Sequence, residues 1–348
     1  MKKIKFLIEM KHGLGDCVCM IPVVTAIRQK YPDSYIAMIV NGESNVEIFN
    51  RSGVEINCFY FLSLKKRPLV QTIKTVVALR REHFDYGILS TMTPFRKGRT
   101  LFKIIGVKHP LGEQYQGIKF LDFDASIHFV ERNMNIVKNL IGDNIDRQPH
   151  LKADKMAVKI MNQKMGIRNK KIIVNIGGGD KNYYKGTYVY TRNWKSEYMV
   201  QLVKMLSDLK YDICLLGGQL EKGLLVEFTN VLKKSNVFDC VGKTDIGESI
   251  DFIADSVLSI GVDTGMQHVA DALGVPTISI FGPTNPKTHG AYSDKAIFIE
   301  CEEDTPDKHC FGQEIYYNTP VKQCMEMVTP EMVYNLVLKT LQTTIKEN

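Results

Sequence analysis

Three short stretches of the chain carry residue types at spacings suited to a phosphate-bearing ligand. The first is Asp263-Thr264-Gly265-Met266-Gln267-His268, which follows the apolar run Val257 to Val262. A helix beginning here presents free backbone N–H groups and the positive end of its dipole, and both favour a phosphate. Gly265, at the first helical position, lets a ligand approach that backbone closely. His268 falls one turn inside the helix on the same side as Thr264, placed to donate either to a phosphate oxygen or to the carbonyl end of the preceding loop. A plainer reading covers two of these residues. Thr264 and Gln267 are spaced as a capping box, which satisfies two backbone donors without any ligand. It leaves Asp263, Gly265 and His268 unexplained.

The second stretch is Gly13-Leu14-Gly15-Asp16. A carboxylate at the start of a helix either stabilises the dipole or, in a cleft, takes a proton from a hydroxyl. The third is GGGDKNYYKGTYVYTRNW, residues 177–194. Gly177, Gly178 and Gly179 open a polar, tyrosine-rich loop in which Lys185 and Arg192 bring positive charge to a leaving phosphate. Thr191, Asn193 or Ser196 caps the next helix. Trp194, the only tryptophan, reads as core.

These stretches need rigid elements to hold them, and the apolar patterning supplies two similar sets. The first half opens with a strand, Ile4 to Met10, then the glycine turn, a helix ending near Tyr31-Pro32, and a strand, Tyr35 to Val40. Pro22 sits either in that helix's first turn or at a kink. A helix from Pro68 to Glu82 and a strand from Tyr86 to Ser90 follow. The second half has a helix, Asp154 to Met165, then a strand, Lys171 to Ile176, that runs into the glycines. Helix Ser196 to Leu209, strand Tyr211 to Leu216, Gly217-Gly218, and a helix from Leu220 to Lys233 come next. Then come helix Ile246 to Ala254, strand Val257 to Val262, helix Gly265 to Leu273 and strand Thr277 to Phe281. Alternating strands and helices specify parallel α/β sheets, whose ligands bind at the carboxyl ends of the strands. The expected domains are therefore 1–150 and 151–329, two Rossmann-like units facing a cleft. A last helix within 330–348 is expected to pack back on the first.

With 348 residues and 44% hydrophobic composition, the chain is long enough for two cores. Its 45 basic and 38 acidic residues give a net charge of +7, spread without an arginine block. That suits phosphate-bearing small molecules or an anionic membrane surface rather than nucleic acid. The opening residues are broken by Lys5, Glu9 and Lys11, and no stretch reaches membrane length, so the expected location is cytoplasmic, peripheral at the inner face of a membrane. Eight cysteines in such a chain are not expected to form disulfides. Neither glycine turn has the G-x-G-x-x-G spacing of a dehydrogenase.

Taken together, G-L-G-D at 13–16, Pro22, the G-G-G to R-N-W stretch, G-G-Q at 217–219 and D-T-G-M-Q-H at 263–268 resemble glycosyltransferase family 9. So does A-D-A-L-G-V-P-T-I-S-I-F-G-P-T at 270–284. These are the heptosyltransferases of lipopolysaccharide synthesis and their relatives. The resemblance covers most of the chain and is weakest over 45–120. It implies a GT-B fold and an inverting transfer, without metal or other cofactor, from a nucleotide diphosphate sugar, typically ADP-heptose, to a saccharide or glycolipid hydroxyl. It implies that Asp16 is the general base and that Arg192 contacts the donor phosphate. Asp263, Thr264, Gly265 and His268 would bind the diphosphate and sugar, with Glu221 on the ribose. Gly15, Gly177, Gly178, Lys185 and Gly218 complete the expected donor site. Arg96, Lys97 and Arg99 either meet an anionic acceptor or form a solvated basic loop. Cys301, Cys310 and Cys324, with His309, resemble an array that holds iron in some relatives, although their spacing is not that of a zinc ribbon. Two rival readings remain: a nucleotide-sugar epimerase of the same architecture, and a non-catalytic nucleotide-sugar-binding subunit.

Overall fold

A computed structural model describes residues 3–62, 68–113, 126–178, 182–184, 187–189, 192–318 and 322–347, with no side-chain description at 182–184, 187–189, 318 and 344–347. The chain divides into two compact units, Met1–Lys152 and Ala153–Asn348. In the first unit, strands β1 (Lys5–Glu9), β2 (Tyr35–Val40), β3 (Cys58–Phe61), β4 (Tyr86–Leu89) and β5 (His109–Leu111) alternate with helices. These are α1 (Leu14–Lys30), α2 (Glu43–Arg51), α3 (Leu69–Glu82) and α4 (Phe95–Ile105), and α5 (Phe129–Ile141) ends the series. The sheet is wholly parallel in the order β3-β2-β1-β4-β5. The strands are uninterrupted apolar runs because helices cover both faces of such a sheet. Pro22 lies well inside α1, beyond its first turn, and is buried.

The second unit repeats the plan with six parallel strands in the order β10-β9-β6-β11-β12-β13. Helix α6 (Lys155–Met165) precedes β6 (Lys171–Asn175). A short antiparallel pair, β7 (Asn182–Tyr184) and β8 (Thr187–Val189), leads to α7 (Ser196–Leu206) and β9 (Asp212–Leu216). Then come β10 (Val237–Asp239), α8 (Ile246–Ile253), β11 (Leu258–Val262), α9 (Gly265–Ala272), β12 (Thr277–Ile280), α10 (Pro286–His289) and β13 (Ala296–Ile299). Helices α11 (Glu314–Asn318), α12 (Gln323–Glu326) and α13 (Pro330–Glu347) close the chain.

The segment after Gly218, expected as an α-helix, winds as 3-10 turns over Gln219–Phe228 and Val231–Lys233. Gly223 falls in its middle, where the lack of a side chain weakens an α-helix. The last helix, α13, lies within the second unit. Its Val333, Val337 and Leu341 join the core that holds Trp194, Leu202 and Val203. Trp194 is core as expected, with its indole N–H donating to the Val328 carbonyl at 2.8 Å.

In each sheet the strand order runs outward in both directions from one pair of strands: β1 and β4 in the first, β6 and β11 in the second. Adjacent crossovers leave such a pair towards opposite sides and open a crevice at its carboxyl end. The Gly13–Asp16 turn follows β1. The glycine loop follows β6 and the Asp263 turn follows β11. Topology therefore delivers all three stretches to the two switch points.

Candidate active site

The turn after β11 rests on a buried polar chain. Asn175 at the end of β6 donates to Ser259 Oγ on β11 at 3.1 Å, and Ser259 donates to Gln267 Oε1 at 2.8 Å. Gln267 then donates to the Ile278 carbonyl on β12 at 3.0 Å. This chain ties α9 to three strands and corrects the capping-box expectation. The Gln267 side chain turns inward to Ser259 and Ile278, and Thr264 makes no side-chain cap bond. Thr264 Oγ1 is left buried with no hydrogen-bond partner among the described residues. A buried hydroxyl without a partner is costly, so the site holds an unmet polar demand beside the free N–H groups of α9.

Asp263 is buried immediately before that helix. Its Oδ2 accepts from Thr284 Oγ1 at 2.8 Å and pairs with Arg192 Nη1 at 3.2 Å. Burial pushes its carboxyl up, but Arg192, His289, His268 and the Thr284 hydrogen bond together outweigh that. The carboxyl is held below its usual value, and so ionised. His289, at the end of α10, is the reverse case. Desolvation, with Arg192 and His268 nearby, lowers it to about 4 despite the pull of Asp263, so it is a neutral imidazole at pH 7. His268 is buried on α9. Asp263, Thr264, Gly265, His268 and Arg192 therefore lie together beyond β11. Thr284 and His289 join them without having been singled out. Thr284 ends the F-G-P-T motif, which was the signal for it. His289 had no signal, because its state depends on burial by residues distant in sequence.

The glycines are explained by close approach. A Cβ on Gly178 would stand 1.9 Å from Asn193 Oδ1, and one on Gly177 would stand 2.3 Å from Glu221 Cγ. Glu221 Oε2 accepts from the Gly218 N–H at 2.8 Å, so it closes the turn after β9 while lying against the loop after β6. Asn193 Oδ1 is buried with no hydrogen-bond partner among the described residues. Lys185 lies outside the described residues.

In the first unit, Asp16 occupies the third position of α1 and its Oδ2 accepts from the Gly13 N–H at 3.0 Å. Gly15, half-buried, is one residue before it. A polar cluster that sequence reasoning missed lies along the same carboxyl edge. Thr93, beyond β4, donates to Glu9 Oε2 at 2.5 Å and contacts His12 Nε2 at 2.7 Å. Asn45 of α2 donates to the His12 carbonyl at 3.0 Å and holds this turn. Farther along, Arg132 of α5 grips Glu113 with both Nε and Nη2, and Thr91 donates to the same carboxylate. These residues are scattered singly through the sequence, and only the sheet gathers them. Arg96, Lys97 and Arg99 are exposed on α4 rather than on a loop.

The cysteines form a packing pad. Cys301, Cys310 and Cys324 are buried free thiols. A Cβ on Gly282 would stand 2.8 Å from Cys324 Sγ and 2.7 Å from Met325 Sδ, so this segment supports the F-G-P-T turn. Cys324 Sγ also contacts the Asp307 carbonyl at 3.5 Å, while His309 pairs with Glu300 at 2.7 Å. Burial pushes all three thiols up, Cys310 to about 11. Among the described residues, no three His, Cys, Asp or Glu side chains converge as a metal site would require.

The glycosyltransferase family 9 (heptosyltransferase) model matches residues 115–318. The lipooligosaccharide heptosyltransferase 2 of Campylobacter jejuni is 25% identical over 94% of this chain and 96% of its own length. The lipopolysaccharide heptosyltransferase 3 of Escherichia coli is 24% identical over 78% of this chain and 80% of its own. A heptosyltransferase 2 of Haemophilus influenzae is 30% identical, but the match spans only 41% of that protein. Among solved structures, a family 9 glycosyltransferase from Veillonella parvula superposes with a TM-score of 0.76 at 17% identity, covering 100% of this chain and 99% of the other. The E. coli ADP-heptose lipopolysaccharide heptosyltransferase II superposes with 0.74, also at 17% identity, covering 98% and 99%. Those two share the fold, which is GT-B. With its two switch-point crevices and a family match over more than half its length, the chain belongs to glycosyltransferase family 9 and is a heptosyltransferase-like glycosyltransferase.

Proposed function

We propose that this protein moves a heptose from ADP-heptose, with inversion and without a metal, to a hydroxyl of a saccharide such as a lipopolysaccharide core. The observation that carries the donor half is the crevice between β6 and β11. A helix N-terminus, an Arg192–Asp263 pair and an unpartnered Thr264 hydroxyl adjoin there. A diphosphate would accept from the α9 N–H groups and from Thr264, with Arg192 and Lys185 neutralising its charge. Gly177, Gly178 and Gly218 allow backbone approach, and the Glu221 oxygen not bonded to Gly218 is the one for a ribose hydroxyl. His268 donates to a phosphate or sugar oxygen.

The acceptor half is assigned to the first unit. The acceptor oxygen attacks the anomeric carbon from the face opposite the phosphate. The new C–O bond forms as the bond to the diphosphate breaks, ADP departs, and the hydroxyl proton passes to Asp16. Charge building on the departing ADP is met by Arg192 and the helix N-terminus, the kind of electrostatic stabilisation that is often the largest catalytic contribution. A glycolipid acceptor would bring the enzyme to a membrane face.

The test is direct. The protein is incubated with ADP-β-heptose and a heptose-accepting core glycolipid, in the presence of a chelator. Formation of an α-linked product and ADP supports the proposal. A β-linked product overturns inversion, dependence on added divalent metal overturns metal independence, and conversion of the donor alone to an epimer overturns transfer.

A further inference from the structure

We propose that the outer face of α3 and α4 docks onto a bilayer bearing anionic lipids. This deepens the glycolipid reading by naming the surface through which the enzyme would meet its membrane.

Helix α3 is apolar on its wet side. Leu69 is 68% exposed, Val70 63%, Ile73 54% and Val77 42%, and Ile104 on α4 is 52% exposed. These are five of the nine large exposed apolar side chains among the described residues, so the clustering is not the usual scatter. At about 100° per residue, the four on α3 fall within roughly 100° of arc, while Thr72 and Leu79 face inward. Arg80 Nη1 donates to the Ile104 carbonyl at 2.7 Å and binds the two helices into one surface.

Along α3 and α4 the exposed charges have one sign. Between Leu69 and Ile105 the chain has seven cations, Lys74, Arg80, Arg81, Arg96, Lys97, Arg99 and Lys103, and all are exposed. The same span has two acids. Glu82 is paired with Lys5 at 2.7 Å and Asp85 with Lys108 at 2.7 Å. An apolar stripe flanked by cations matches the interface of an anionic bilayer, where apolar groups enter the acyl boundary and lysines and arginines meet the headgroups. A second copy of the chain is the poorer partner, since a two-fold contact would set these cations against themselves. No described helix is long and apolar enough to cross a membrane, so contact here is in-plane. Helix α4 begins two residues beyond Thr93, at the same edge of the sheet as His12 and Glu9. Docking there would present a membrane-bound acceptor to the first unit's crevice.

The test uses the full chain, with no sugar donor or acceptor. Its failure would therefore leave the transfer reading standing, and a failed transfer assay would leave this one standing. Co-sedimentation is measured with vesicles of phosphatidylglycerol in phosphatidylcholine and of phosphatidylcholine alone. Binding to the anionic vesicles only, weakened by salt, is expected. Lys74→Gln with Arg81→Gln should weaken it roughly thirty-fold. Ile73→Ser with Val77→Ser should weaken it at unchanged charge. Removing the same charge elsewhere, with Lys155→Gln and Lys159→Gln, should leave it nearly unchanged. All three variants are on exposed positions, and unchanged melting temperature and ADP binding confirm that they fold. The proposal is overturned by equal binding to both vesicles, by no binding, or by losses no greater than those of the Lys155/Lys159 control. A self-association that the α3 substitutions dissolve, in a protein that ignores vesicles, would also overturn it.

Discussion

Replacing Thr264 with valine separates two readings of the same residue by sign. If Thr264 were an ordinary helix cap, losing its hydroxyl would cost about 1 kcal/mol. In this structure it makes no cap bond, and its Oγ1 is buried with no hydrogen-bond partner among the described residues. Relieving an unsatisfied buried hydroxyl returns about 1–3 kcal/mol. Valine has the same shape and suits the extended backbone at φ −140°, ψ 160°. The ligand-free variant should therefore melt higher, by about 2–4 °C for each kcal/mol in a unit of this size. Its affinity for ADP should fall, because a hydrogen bond to a charged phosphate is worth about 1.5–3 kcal/mol, or roughly 10- to 150-fold. Differential scanning calorimetry gives the first quantity and isothermal titration with ADP the second. A lower melting temperature with unchanged ADP affinity would refute the reasoning, since Thr264 would then be a structural cap.

Asp16→Asn should lower turnover about 10²- to 10⁴-fold while ADP binding is retained, the range expected for loss of a general base; normal turnover in a steady-state transfer assay removes that role. His289 is lowered from 6.5 to about 4, so between those pH values the unfolded chain binds a proton that the folded chain refuses, and stability falls as pH drops through that window. The penalty is absent above pH 6.5 and reaches at most about 2.5 kcal/mol at pH 4.5. In urea titrations from pH 7 to 4.5, His289→Gln should be less stable at pH 7, having lost the 2.7 Å contact with Thr288, yet lose less stability on acidification. Equal acid sensitivity in the two proteins counts against a buried neutral His289.

Much of the fold is legible in the sequence because its strands are unbroken apolar runs. Lys171–Asn175, Asp212–Leu216 and Leu258–Val262 are each wholly buried, and each is followed by a turn rich in glycine or small polar residues. Burial on both faces leaves no polar alternation to confuse the pattern. Two short strands do not stand out in it: β3 at Cys58–Phe61 and β5 at His109–Leu111. A strand of three or four residues has too little periodicity to stand out, and pairing with a neighbour decides it.

The sequence by itself determined that an acidic residue, a threonine and a glycine would stand at the head of a helix beyond a buried strand. Local residue order and free backbone amides are enough for that. Only the tertiary structure decided what Thr264 and Gln267 do. Their spacing satisfies a capping box, yet Ser259 and the Ile278 carbonyl, from two strands brought alongside, take the amide instead. It also decided the company of Asp263. Arg192, Thr284 and His289 lie between 21 and 71 residues away along the chain, and their effect on its charge comes from a shared buried volume that no local pattern encodes. Spacing records which groups a segment carries; which of those groups lose water, and against what partner, is set by elements distant in sequence.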